Sequence, residues 1–226
     1  MTKKYPGIFI TLEGVDAAGK SSHVEALKSH LEQTTGKKVI MTREPGGTDL
    51  ANEIRAIVKT RPMSAATELL LLNAARQDHI ENVISKALQE GHIVLCDRFT
   101  DSTYAYQGGA KSFDMDKIAI LEQWVQEGLT PDMTLYFDVP LAVSKSRRET
   151  RGEASDRMED AMDANFNALR DVYLEIAKND PERVVTIDGT PSLENVRKSV
   201  ISHIDDFILH HSINAALSDK PRRIKP

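Results

Sequence analysis

Short apolar runs alternate with longer stretches of helical periodicity along this chain. The short runs are mostly apolar on both faces, as buried parallel strands are, and occupy residues 8–12, 39–42, 93–96, 134–138 and 184–187. Apolar positions spaced by three and four residues predict helices at about 20–34, 49–59, 66–90, 115–128, 141–150, 158–179 and 192–209. This alternation predicts an α/β fold in three layers, a five-stranded parallel sheet flanked by helices.

The segment after the first predicted strand has the pattern G-x-x-x-x-G-K-S, and the strand–loop–helix context of a phosphate-binding loop surrounds it. In such a loop, backbone N–H groups surround a phosphate, the lysine neutralises phosphate oxygens and the serine hydroxyl helps to hold Mg²⁺. We therefore expect ATP contacts from Gly14, Val15, Asp16, Ala17, Ala18, Gly19, Lys20, Ser21 and Ser22. The alternative is a glycine-rich turn that binds nothing.

Composition narrows the class of protein. The formal net charge of −5 over 226 residues gives no reason to expect nucleic-acid binding. A single cysteine, Cys96, excludes an intramolecular disulfide and fits a reducing compartment, and we expect it to be a small core residue rather than a reactive thiol. No apolar run approaches the roughly 18 residues that span a bilayer, and the N-terminus lacks a signal-peptide pattern. We expect a cytoplasmic protein without membrane contacts.

A carboxylate and an arginine follow the third predicted strand, where parallel sheets gather their ligands. Asp97 is placed as a carboxylate near Mg²⁺ would be in a nucleotide-binding fold, although it could instead cap a helix or a turn. Arg98 offers a planar fork that can bind a phosphate with two hydrogen bonds, although it could instead form only an ion pair.

Several motifs in one order carry a family resemblance. They are the phosphate loop, the segment Arg43–Thr48, the triplet Ala74–Arg76, the pair Asp97–Arg98, the segment Ser102–Gly108 and the pair Asp156–Arg157. Over about residues 7–209 the chain resembles the thymidylate kinases, which pass the γ-phosphoryl group of ATP to dTMP. The resemblance implies a sheet order of 2-3-1-4-5, Mg²⁺ with ATP as co-substrate, direct in-line transfer and a homodimer.

The resemblance also implies roles for individual residues. The implied catalytic residues are Asp16, Lys20, Arg98, Arg151 and Arg157. The implied dTMP-binding residues are Asp16, Arg43, Glu44, Pro45, Arg55, Leu72, Arg76, Arg98, Ser102, Thr103, Tyr106 and Gln107. Arg147, Asp188 and Gly189 are added to the ATP contacts of the phosphate loop, and the implied metal ligands are Ser21, Asp97 and Glu44.

The phosphate loop itself contains no arginine, since positions 15–18 are Val-Asp-Ala-Ala. A segment rich in arginine, at about 147–157, resembles the lid of the bacterial thymidylate kinases and would supply the missing charge. The alternative is a solvated helix face with internal ion pairs. We expect one domain over residues 1–209 that includes this lid, and a flexible tail over 210–226 rather than a binding arm.

The chain departs from the family at Leu72, where a phenylalanine commonly stacks on thymine. Leucine keeps apolar contact but loses the ring interaction, and Phe99 could supply ring surface from another wall. A kinase with a broader set of monophosphate acceptors is therefore one alternative. The other is a P-loop switch that binds nucleotide without phosphoryl transfer, in which Arg76, Arg98 and Tyr106 would have no role.

Overall fold

The computed structural model describes residues 5–150 and 163–218. All strands pair in parallel in one five-stranded sheet of order β2-β3-β1-β4-β5, which confirms the predicted fold. The strands are β1 (Ile8–Glu13), β2 (Val39–Arg43), β3 (Ile93–Asp97), β4 (Met133–Asp138) and β5 (Val184–Asp188). Each lies within one or two residues of its predicted bounds.

Helices connect the strands on both faces of the sheet. They are α1 (Val24–Thr35), α2 (Asp49–Thr60), α3 (Ala65–His79), α4 (Ser85–Gln89), α5 (Thr100–Thr103), α6 (Met115–Gln126), α7 (Leu141–Thr150), α8 (Phe166–Asn179) and α9 (Leu193–Ser218). A 3₁₀ turn, Lys20–Ser22, precedes α1, and π-helical turns follow α3 at Ile80–Ile84 and α5 at Tyr104–Ala110.

Successive side chains of β1 point to opposite faces of the sheet and enter different cores. Ile10 and Leu12 belong to a core that α1, α8 and α9 complete. Phe9 faces a second core with Ile84 and Phe99. Because both faces are covered, the strands are apolar on both sides, which is the pattern that the sequence showed.

Helices α5 and α9 differ from the predicted helix pattern. No helix was expected at 100–110, where α5 and its π-helical turn lie, because polar residues and two glycines conceal the helical periodicity. Helix α9 was expected to end at 209 but extends to Ser218, into the segment predicted as a tail. The predicted lid lies outside the described residues from residue 151 onwards, and Arg151 and Arg157 with it.

The phosphate loop depends on one close backbone approach. Gly14 has φ of +132°, and a Cβ atom there would lie 2.4 Å from the carbonyl oxygen of Phe137 in β4. Only glycine fits both the conformation and the space. Gly36, at the end of α1, offers a contrast, since its φ is +67° but a Cβ atom would meet nothing within 4 Å.

We predict that Gly14→Ala lowers the free energy of unfolding by about 3 kcal/mol or more, because backbone strain adds to a clash with main-chain atoms. Gly36→Ala is the matched control and should cost about 1–2 kcal/mol, from its left-handed conformation alone. Urea denaturation followed by circular dichroism measures both. Equal losses in the two variants would contradict the importance of the close approach.

Candidate active site

A cavity of about 720 Å³ opens at the carboxyl ends of the strands. It brings together predicted residues that lie far apart in the sequence. Those that line it are Asp16, Ala17, Ala18, Gly19, Lys20, Ser21, Arg43, Glu44, Pro45, Arg55, Leu72, Arg76, Asp97, Arg98, Ser102, Thr103, Tyr106 and Gln107. Residues expected for the two nucleotides therefore share one space.

Lys20 is buried at the base of the phosphate loop. Its ammonium group donates hydrogen bonds to the carbonyl oxygens of Gly14 and Val15, at 2.9 and 3.0 Å. Burial and the nearby Arg98 lower the pKa of Lys20 to about 8, although Asp97 and Asp16 oppose this shift. A phosphate in the loop would supply the negative charge that this buried cation lacks.

Arg98 faces the loop from the end of β3. Its guanidinium donates to Asp16 Oδ1 at 2.8 Å and to Ser102 Oγ at 3.1 Å, and lies 4.9 Å from the centre of the Tyr106 ring. Although burial acts in the opposite direction, Tyr106 and Asp16 hold the pKa of Arg98 well above its ordinary value. For Asp16, burial acts to raise the pKa, but Arg98 and Lys20 act more strongly in the other direction and the pKa is lowered.

Two further arginines add positive charge near Arg98. Arg43 and Arg55 both line the cavity, and Arg55 donates to the carbonyl oxygen of Pro45 at 2.9 Å. Partial burial lowers the pKa of Arg55, and repulsion from Arg43 and Arg98 adds to the effect. Since three cations crowd one region, an anion bound there would relieve their repulsion.

A buried network forms the wall between α3 and the loop after β2. Glu44 accepts from Arg76 Nε at 2.7 Å and from His79 Nδ1 at 3.0 Å, and Arg76 Nη2 donates to Thr103 Oγ1 at 2.9 Å. The Arg76 guanidinium also lies 5.1 Å from the centre of the Phe99 ring. Burial alone would raise the pKa of Glu44, but Arg76 and His79 lower it. The Glu44 carboxylate therefore holds Arg76 in place.

This placement bears on the metal prediction for Glu44. Both of its oxygens already accept hydrogen bonds from side chains, so the geometry favours a role in the wall over metal binding. Sequence reasoning missed His79, which is fully buried and donates to Glu44. Its spacing of three residues from Arg76 on one helix is the signal that could have revealed it.

Gln107 and Leu72 complete this side of the cavity. Gln107 Nε2 donates to Glu68 Oε1 at 2.8 Å, and Lys111 pairs with the same carboxylate at 2.5 Å. Sequence reasoning missed both Glu68 and Lys111, whose charges gave no periodic signal. Leu72 lines the cavity and packs against the small core of α2 and α3.

Asp97 is the best candidate for a metal ligand in this cavity. It lines the space beside Lys20 and Ser21, and its buried Oδ1 atom has no hydrogen-bond partner in the described part of the chain. Within residues 5–150 and 163–218 no three His, Cys, Asp or Glu side chains converge on a point. Such a site suits Mg²⁺, which is often held by one or two carboxylates together with substrate phosphates.

Arg147, Asp188 and Gly189, three further ATP predictions, lie outside the residues that line the cavity. Arg147 donates to the carbonyl oxygens of Ala18 and Gly189, at 3.2 and 2.7 Å, and so links the phosphate loop to the loop after β5. Asp188 is exposed and accepts from Thr190, so it shapes its own turn. Arg148 lines the cavity and pairs with Asp163 at 2.5 Å.

The sheet order, the phosphate loop and the shared cavity define a P-loop kinase. The family model for thymidylate kinase matches residues 12–200. The chain belongs to the thymidylate kinase family.

Relatives match over most of their length. Thymidylate kinase from Nitrosomonas eutropha is 44% identical, covering 89% of this chain and 94% of that protein. The same enzyme from Pseudomonas savastanoi pv. phaseolicola is 48% identical, with coverage of 86% and 93%. The crystal structure of thymidylate kinase from Ehrlichia chaffeensis is 32% identical, with a TM-score of 0.72 and coverage of 88% and 98%. None of the helices described here has the length and apolar character of a membrane span.

Proposed function

We propose that this protein phosphorylates dTMP to dTDP with ATP by direct in-line transfer. Phosphorylation of dTMP is the activity of its family. One observation carries the proposal. Arg98, on the acceptor side, pairs with Asp16 of the donor loop at 2.8 Å, and Lys20 of the same loop lines the same cavity. The two phosphates would therefore be held next to each other. An oxygen of the dTMP phosphate attacks the γ-phosphorus, the bond to the bridging β–γ oxygen breaks, and ADP leaves.

The donor side supplies backbone N–H groups and a buried cation. The loop from Gly14 to Ser22 surrounds the ATP phosphates, and Lys20 would exchange its two carbonyl contacts for phosphate oxygens. Arg147 and the loop of Asp188 and Gly189 lie where the adenosine would leave the phosphate loop. Arg151 and Arg157, in the lid, would add charge at the transferred group and help to exclude water.

The acceptor side supplies a cluster of arginines for the dTMP phosphate. Arg98 is fixed at both ends, by Asp16 and by Ser102, with Arg43 and Arg55 nearby. Asp16 would also accept from the sugar 3′-hydroxyl. Tyr106, which packs on Arg98, would lie near C2′ and disfavour a ribose hydroxyl.

The wall beyond the sugar would recognise the base. Arg76 and Thr103 would contact the thymine edge. Glu44 holds Arg76 in position, and Arg76 in turn holds Thr103. Gln107 turns its amide N–H group to Glu68, which leaves its carbonyl oxygen for a ligand donor. Leu72 would give apolar contact without a ring, and Phe99, which lines the cavity 5.1 Å from the Arg76 guanidinium, would supply ring surface from another wall.

Mg²⁺ would be held by Asp97 and Ser21 together with ATP oxygens, and the unpaired Oδ1 atom of Asp97 supports this assignment. A bound Mg²⁺ ion would offset the negative charge of the phosphate oxygens. The cytoplasm is the proposed location, supported by the buried free thiol of Cys96. Cell fractionation with an antibody would test this location.

The first experiment measures ADP production in a coupled assay with ATP and Mg²⁺. We expect turnover that depends on dTMP and that stops with excess EDTA. Parallel reactions contain dUMP, dCMP, dGMP or no acceptor. Equal rates with several acceptors would favour the broader monophosphate kinase that Leu72 suggests. ADP release at the same rate with every acceptor and with none would overturn the proposal in favour of an NTPase or switch.

Arg98→Ala tests the acceptor phosphate site. Loss of a bidentate, charge-assisted contact should raise the KM for dTMP by roughly 100-fold, which corresponds to about 2.7 kcal/mol. The KM for ATP should change little. Lys145→Ala, which removes a half-exposed cation that pairs with Asp163, is the control. Near-normal dTMP affinity in Arg98→Ala would show that this assignment is wrong.

We also propose a homodimer formed by α3 and α6. Ile120 and Trp124 lie one turn apart on α6 and are 64% and 75% exposed, and Leu70 on the neighbouring α3 is 57% exposed. Large apolar side chains grouped at one surface typically mark an interface.

Sedimentation velocity tests the dimer. The unaltered protein should sediment as a dimer, and Trp124→Glu as a monomer, because a buried unpaired charge is costly at an interface. Leu209→Glu, at a position on α9 that is 58% exposed, should leave the dimer intact. A monomeric unaltered protein would refute the assignment.

A further inference from the structure

Glu13 is a buried acidic side chain for which the proposed reaction has no role. It is the last residue of β1 and immediately precedes the phosphate loop. Its side chain is 0% exposed and does not line the cavity. A carboxylate without solvent contact requires hydrogen-bond donors to offset the cost of its burial.

Four donors from two elements converge on this carboxylate. Oε1 accepts from the backbone N–H groups of Phe99 and Ser102, at 2.7 and 3.3 Å. Oε2 accepts from Ser102 Oγ at 2.5 Å and from the hydroxyl of Tyr173 at 2.9 Å. Glu13 therefore holds the first turn of α5 against β1 and α8.

The Ser102 hydroxyl extends this contact to the acceptor site. Ser102 Oγ donates to Glu13 Oε2 at 2.5 Å, so the hydroxyl proton of Ser102 points to Glu13. The lone pairs of Ser102 Oγ are then turned towards Arg98, whose Nη1 donates to it at 3.1 Å. Asp16 holds the other side of the same guanidinium at 2.8 Å. The orientation of Arg98 thus depends on Glu13 through one intervening hydroxyl.

The backbone at Arg98 makes this support necessary. Arg98 has φ of +72°, a left-handed conformation that residues other than glycine adopt at a cost. The next residue, Phe99, begins the hydrogen bonds to Glu13. Glu13 therefore stabilises both the strained turn and the side chain that the turn presents.

We propose that Glu13 is a positioning residue that sets the Arg98 guanidinium for the acceptor phosphate, acting through Ser102. This inference rests on the proposed function, because it assigns Glu13 a part in binding the dTMP phosphate. Glu13 touches neither nucleotide and is not itself catalytic.

The test compares ligands that differ only in the phosphate. Glu13→Gln keeps the shape but directs an amide N–H₂ group at donors, so the four donors can no longer all be satisfied. We expect the Kd for dTMP, measured by isothermal titration calorimetry, to rise about tenfold. The Kd values for thymidine, which lacks the phosphate, and for ATP should stay within about twofold. Asp138→Asn, a carboxylate on β4 that pairs with Arg170, is the control and should leave the ratio of the dTMP and thymidine Kd values unchanged.

A double-mutant cycle tests the route through Ser102. Ser102→Ala should also weaken dTMP binding selectively, and Glu13→Gln should add little to it, because both changes break one path. Additive losses would overturn the role of Ser102. Where Glu13→Gln yields too little folded protein, Ser102→Ala decides alone, and an unchanged ratio of the dTMP and thymidine Kd values would refute the proposal.

The outcomes separate this inference from the proposed function. If the unaltered protein phosphorylates none of the monophosphates tested, the proposed function fails first. If it phosphorylates dTMP but Glu13→Gln weakens thymidine and dTMP equally, Glu13 is a structural residue only and the inference is wrong.

Discussion

The ion pair between Asp16 and Arg98 joins the two halves of this site. Asp16 belongs to the phosphate loop and Arg98 to the turn after β3, and their side chains meet at 2.8 Å. Parallel strands make this meeting geometrically simple, because the carboxyl ends of β1 and β3 lie side by side in the sheet. A phosphate on either side of Asp16 therefore enters a field that cations of both elements create.

Charge balance is the constraint that organises the residues around this pair. Glu13, Lys20, Glu44 and Arg76 are all buried in or near the cavity wall, and each has partners of opposite charge or hydrogen-bonding partners. Such pairs add little net stability relative to apolar residues. Their effect is positional, since each fixes the direction of a side chain that a nucleotide would meet. The fold thus places buried polar contacts where the orientation of a side chain matters.

The sequence predicted the sheet order by resemblance, and the strands and the phosphate loop from local pattern. These features depend on residues that are close together in the sequence, so a short stretch of sequence is enough to predict them. The partners of Glu13 lie 86 to 160 residues away, and His79 lies 35 residues from Glu44. No periodicity links such residues, because they become neighbours only when the sheet forms. For the same reason, the sequence did not predict α5 and its π-helical turn. Contacts with α8 and β1 stabilise this segment more than its own residues do.

In the proposed function, recognition of the base would depend on oriented hydrogen-bonding groups as well as on apolar contact. Leu72 gives the cavity apolar surface without a ring, and the aromatic residues that line the cavity are Phe99 and Tyr106. Glu44 and Glu68 hold the hydrogen-bonding groups of Arg76 and Gln107 in place. A site built to hydrogen-bond a substrate rejects an analogue that leaves those buried groups unpaired, often more strongly than an apolar pocket does. In the proposed function, selectivity for thymine would therefore draw on two carboxylates of the wall, Glu44 and Glu68, which orient Arg76 and Gln107.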